Sequence, residues 1–126
     1  MTLTEFLLAR IAEDETVAEA AAAHAPGGEW RAYDPDEGTE RAGRFGCVVT
    51  GGMHPTAWPQ HAAHIARHDP ARVLAECEAK RRIVADYAHL TTVPGHGAMA
   101  SHSGWILRQL AAVYCDHPDY LPEWKP

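Results

Sequence analysis

At 126 residues and a formal net charge of −6, the chain is long enough for one hydrophobic core and too acidic overall for a general nucleic-acid footprint, which wants a basic face. Hydrophobic residues make up 46% and charged residues 22%, an ordinary globular balance, and no apolar run approaches the ~20 residues that cross a bilayer. The expectation is a single domain over residues 1–126 with neither nucleic acid nor membrane as a partner. Met1-Thr-Leu-Thr-Glu-Phe6 lacks the basic start and apolar stretch of a secretory signal, which points to the cytoplasm.

Residues 1–23 predict an N-terminal helix, Leu3 to Ala23, with Leu3, Phe6, Leu7, Ile11 and Val17 broadly on one side and Glu13, Asp14, Glu15 and Glu19 supplying acid elsewhere. Thr2 and Glu5 stand at the capping-box spacing, and His24-Ala-Pro26-Gly27-Gly28 stops the helix. A strand pair is expected within 29–50, from Glu29–Tyr33 and Arg44–Thr50, joined by the polar connection Asp34–Gly43. Gly51–Pro59 is then a loop rich in helix breakers.

Residues 60–90 read as helix, break and helix. Asp69 offers an N-cap oxygen, and Pro70 takes the first helical position, where its missing N–H costs nothing. From Pro70 to about Leu90, Val73, Leu74, Cys77, Val84, Tyr87 and Ala88 share one side, while Glu76 and Glu78 each precede a base by four residues, at Lys80 and Arg82. Thr91–Gly104 breaks again, and a last helix is expected over 105–115, with Trp105 and Tyr114 at core positions beside Ile106, Leu107, Leu110 and Val113. Prolines at 118, 122 and 126 predict an extended tail over 116–126.

These elements assemble on paper into an α+β fold: a small antiparallel sheet of two or three strands, packed on one face by three to four helices, with the helix-break-helix in the middle. Such a sheet leaves edges that a second copy of the chain could pair with, which suggests a homodimer.

The segments His64-Ile-Ala-Arg-His-Asp-Pro-Ala-Arg-Val-Leu74, Glu78-Ala-Lys-Arg-Arg-Ile83, Leu110-Ala-Ala-Val-Tyr-Cys-Asp-His-Pro-Asp-Tyr120 and Glu123-Trp124 resemble an uncharacterised family of small actinobacterial and actinophage proteins, classed as a domain of unknown function. More loosely, the Trp30 and Val48-Val49 strands, the helix entry Ala62-Ala-His-Ile-Ala66 and Pro70–Leu74 are similar in order to small accessory proteins of bacteriophages. The resemblance implies an element order and a genomic setting. It supplies no reaction and no catalytic residues.

The chemistry of the side chains leaves two readings. Three cysteines, Cys47, Cys77 and Cys115, are far apart and read as reduced thiols. His61, His64 and His68 would occupy an arc of about 60° on a continuous helix, a spacing that could offer imidazoles to one zinc ion. The glutamate that follows the first histidine in helical zinc hydrolases is replaced here by Ile65, so a general base is missing and no catalytic residue is assigned. No cofactor is expected beyond that zinc option. Trp58, Tyr120 and Trp124, in proline-rich surroundings, are candidate contacts with a partner or a second subunit, and Arg67 and Arg72 are candidate docking charges for an acidic partner. The leading reading is a non-enzymatic protein-interaction accessory module, and its rival a small metal-binding protein or metal-dependent hydrolase using His61, His64 and His68.

Overall fold

Short-range hydrogen bonds start the first helix. The Thr2 hydroxyl accepts from the Glu5 N–H at 3.2 Å, while the Glu5 carboxylate accepts from the Thr2 N–H at 2.7 Å, a reciprocal capping box. These bonds, the backbone one foremost, hold the Glu5 carboxyl below its usual range. The computed structural model describes residues 1–24, 27–30 and 63–126 in full, and the backbone alone of 31–32, 47–48 and 59–62. Among the described residues the helices are α1 (Leu3–Ala23), α2 (Pro59–Arg67), α3 (Pro70–Thr92) and α4 (Gly97–Ala111), with 3-10 turns at Ala112–Tyr114 and Pro122–Trp124.

The α+β expectation is overturned. The described residues are mainly helical, and the antiparallel sheet is replaced by one pairing of two-residue segments, β1 (Arg31–Ala32) and β2 (Cys47–Val48), which run parallel with Arg31 opposite Cys47. Parallel partners need a connection of a dozen or more residues, and the interval from 33 to 46 supplies it, so the polar stretch read as a hairpin connection does not force a hairpin. Tyr33, the Asp34–Gly43 connection, Arg44–Gly46 and Val49–Trp58 lie outside the described residues.

Two further boundaries differ from the sequence reading. α4 opens at Gly97 rather than near Trp105, because Pro94 and Gly95 (φ +86°) alone complete the turn out of α3, leaving Gly97 and Gly104 inside a helix. Burial of Leu107 and Ala111 offsets the roughly 1 kcal/mol that an interior glycine costs. The tail, expected extended, closes instead into successive turns: His117 N–H to Tyr114 O, Tyr120 N–H to His117 O and Trp124 N–H to Leu121 O, each 2.9 Å. Pro122 permits this because its fixed φ suits the first position of a helical turn.

The described residues form two compact units, one of Met1–Glu13 with Cys77–Pro126 and one of Asp14–Glu76. In the first unit Phe6, Leu7 and Ile11 from α1, Cys77 and Val84 from α3, and Leu107 and Ala111 from α4 are buried together with Tyr120 and Trp124. Phe6 is the hub, with the rings of Trp124, His117, Tyr120 and Tyr114 at centroid distances of 5.0, 5.7, 5.9 and 6.3 Å. In the second unit α2 packs on both strands. Asp69 joins its parts: one carboxylate oxygen accepts the Arg72 N–H at 2.9 Å, the cap of α3, and the other accepts the Trp30 N–H at 3.1 Å.

Candidate functional site

Beside the aromatic hub of the first unit lies an open groove of about 650 Å³. Its walls come from Leu3 of α1, Tyr87 of α3, the Ser101–Gly104–Trp105–Arg108 side of α4, and Glu123 and Trp124 of the last turn. Trp124 is nearly buried, whereas Trp105 at the lip is 54% exposed and stacks on His102 with centroids 6.4 Å apart. Arg108 and Glu123 have no ion partner among the described residues, so the groove presents both signs of charge around an apolar strip.

A polar clasp holds the tail that builds this wall. Arg10, only 7% exposed, donates through Nε to Glu13 at 2.8 Å and through a terminal nitrogen to the same carboxylate at 2.5 Å. Its other terminal nitrogen donates to His117 Nδ1 at 3.1 Å, and the guanidinium lies 5.2 Å from the Phe6 ring centroid. His117 Nδ1 also accepts the Asp119 N–H at 3.1 Å, so this nitrogen carries the lone pair and the proton sits on Nε2. The hydrogen bond from Arg10 holds the Glu13 carboxyl below its usual range, and its counterpart raises the already basic guanidinium.

Within the same cluster Tyr120 Oη is buried without a hydrogen-bond partner among the described residues. An orphaned hydroxyl costs about 1–3 kcal/mol, so Tyr120→Phe is expected to match or exceed the wild type in urea denaturation. A clear loss of stability would mean that the hydroxyl is satisfied by a bound molecule in solution.

In the second unit His64 and His68, both exposed, bring their rings together with centroids 4.4 Å apart. His68 Nδ1 is 2.9 Å from the His64 carbonyl oxygen. His68 also borders a small depression of about 220 Å³ with Val17, Trp30, Pro70 and Val73. Val17, expected on the apolar side of α1, is 71% exposed there.

The family of unknown function DUF6221 matches residues 1–126, the whole chain. The chain belongs to this family. No curated protein and no solved structure matches it. No helix among its described residues is long and apolar enough to cross a membrane.

In this DUF6221 chain the residues singled out by sequence are distributed over both units. Tyr120 and Trp124 are buried against Phe6, Trp124 keeping an edge in the groove. Arg67 and Arg72 lie at the α2–α3 junction, where Arg72 pairs with Glu76 at 2.7 Å and donates to the Arg67 carbonyl at 3.3 Å. Trp58 and the side chain of His61 lie outside the described residues. No group of three or more His, Cys, Asp or Glu side chains is placed to hold a metal among the described residues. Cys77 is buried and Cys115 exposed, and neither is in a disulfide among the described residues.

Trp105, like Val17, was misplaced by sequence reasoning, here as a core position. The signal was present: Leu107 and Ala111 lie four residues apart on the side turned inward, and Trp105, two residues before Leu107, lies about 200° around the axis from it. Arg10 was missed altogether, since its partner His117 is 107 residues away.

Proposed function

We propose that this chain is a non-enzymatic accessory module of actinobacterial or phage origin that binds another protein through the α4 groove and works in the cytoplasm. The exposed Trp105 carries the docking part of this reading. A tryptophan over half exposed at the lip of a groove is a large apolar anchor awaiting cover, and such residues dominate binding energy at protein interfaces. The groove volume is in the range of sites that accept a compact ligand or a few side chains. Arg108 and Glu123 specify the occupant: a peptide segment with an apolar side chain for the strip, an acidic group facing Arg108 and a basic group facing Glu123. Trp124 belongs to the docking wall, and Tyr120 backs it. The setting is supported by the residue patterns His64–Leu74 and Leu110–Tyr120, which resemble actinobacterial and actinophage proteins.

The test is capture from a lysate of the source organism on immobilised wild-type chain, Trp105→Ala and Arg108→Glu, followed by titration of the captured protein. Each substitution is expected to weaken the same partner about tenfold or more, the loss of one hot-spot contact. A partner whose affinity both variants leave unchanged would place docking elsewhere and refute this reading. Both residues are exposed, so circular dichroism of the variants is expected to match the wild type.

A further inference from the structure

We infer that His64 and His68 form a two-imidazole site for a borderline divalent cation, holding Cu²⁺ more tightly than Zn²⁺. The inference rests on the geometry of the second unit and is independent of the groove.

The first observation is the tautomer. A carbonyl oxygen only accepts, so the 2.9 Å contact between His68 Nδ1 and the His64 carbonyl places a proton on Nδ1, and in the neutral ring the lone pair is then on Nε2. Metal-ligating histidines are held in the same way, one ring N–H tied to a backbone carbonyl while the other nitrogen faces the ion. The second observation is proximity. Four residues apart at the end of α2, the two side chains share one face of the helix, and their rings already lie 4.4 Å apart at an interplanar angle of 37°. Rotation about the side-chain torsions can therefore bring both Nε2 atoms to one ion, and the His68 ring is already tied by its Nδ1 contact.

Ligand type then selects the ion. Neutral imidazole suits zinc, copper and nickel, and affinity at a nitrogen site rises to a maximum at Cu²⁺. Among the described residues no third His, Cys, Asp or Glu joins the pair, so the two imidazoles are the protein ligands that the proposal assigns. Both rings are exposed, so the ion enters without displacing structure. The site is accordingly open and exchangeable, unlike the closed four-ligand arrangement of structural zinc.

The experiment uses the full, untagged chain purified without metal-affinity resin, with Zn²⁺ and Cu²⁺ themselves as probes. Calorimetric titration is expected to give one ion per chain, tighter for Cu²⁺, with His64→Ala and His68→Ala each weakening it about tenfold or more. His102→Ala, at the exposed histidine of α4, is expected to leave the affinity unchanged. Electron paramagnetic resonance of the Cu²⁺ complex is expected to show two imidazole nitrogens. The proposal is overturned by the absence of saturable binding up to about 1 mM metal, by unchanged affinity in either His64→Ala or His68→Ala, or by a spectrum with fewer than two imidazole nitrogens. Circular dichroism of each variant confirms that the fold is retained.

Discussion

Phe6→Ala is expected to destabilise the chain by about 3–5 kcal/mol, the cost of deleting a fully buried aromatic ring and leaving a cavity. Four aromatic rings converge on Phe6 from the α4 end and the tail. Edge-to-face pairs add about 0.5–1.5 kcal/mol each beyond area burial, although contacts that share one ring do not add independently. The cavity cannot readily collapse, because the Tyr120 and Trp124 rings also brace each other at 5.8 Å. Urea denaturation measures the loss, with Leu8→Ala, at a 36% exposed neighbour on α1, expected to cost under about 1 kcal/mol. Equal effects of the two substitutions would show that the aromatic hub does not hold the tail. Since Trp124 forms a groove wall, partner capture by Phe6→Ala is expected to fall as well, even at temperatures where the variant remains folded.

Asp69→Ala is expected to cost about 2 kcal/mol, more than an ordinary helix cap. Both carboxylate oxygens are in use, one on the Arg72 N–H of α3 and the other on the Trp30 N–H from a segment 39 residues earlier. Alanine orphans both donors. Asparagine is expected to recover roughly half of the loss, since the two N–H groups face different carboxylate oxygens and its amide nitrogen, a donor, replaces one of them. Denaturation of the two variants beside wild type gives the comparison, and amide hydrogen exchange at Trp30 and Arg72 identifies which bond Asn keeps. Full recovery by Asn would mean that the bond it gives up contributes nothing. The Ala71 N–H donates to the Gly28 carbonyl at 2.9 Å without involving Asp69, so part of the local tethering is expected to persist in both variants.

Features written within a few residues are legible in the amino-acid sequence alone. Thr2 with Glu5, and Asp69 with Pro70, mark two helix starts because each cap is closed by atoms at most three residues apart, and neither depends on the rest of the fold. The inward stripe of α3 is likewise local, since Cys77 and Val84, two turns apart, are both buried. His64 and His68 meet because four residues is a helical repeat.

What the sequence left open was decided by partners far along the chain. A strand segment carries no mark of whether its neighbour runs parallel or antiparallel, and the connection from 33 to 46 is long enough for either, so pairing direction came from tertiary packing. Tyr120 and Trp124, readable as exposed contacts, are buried because Phe6 offers them apolar surface more than a hundred residues away. Trp105 is exposed for the complementary reason, that Leu107 and Ala111 occupy the inward side of α4 and a helix has only one. Local hydrogen bonding and helical periodicity are encoded residue by residue, whereas the choice among competing long-range burials depends on which surfaces the whole chain brings together.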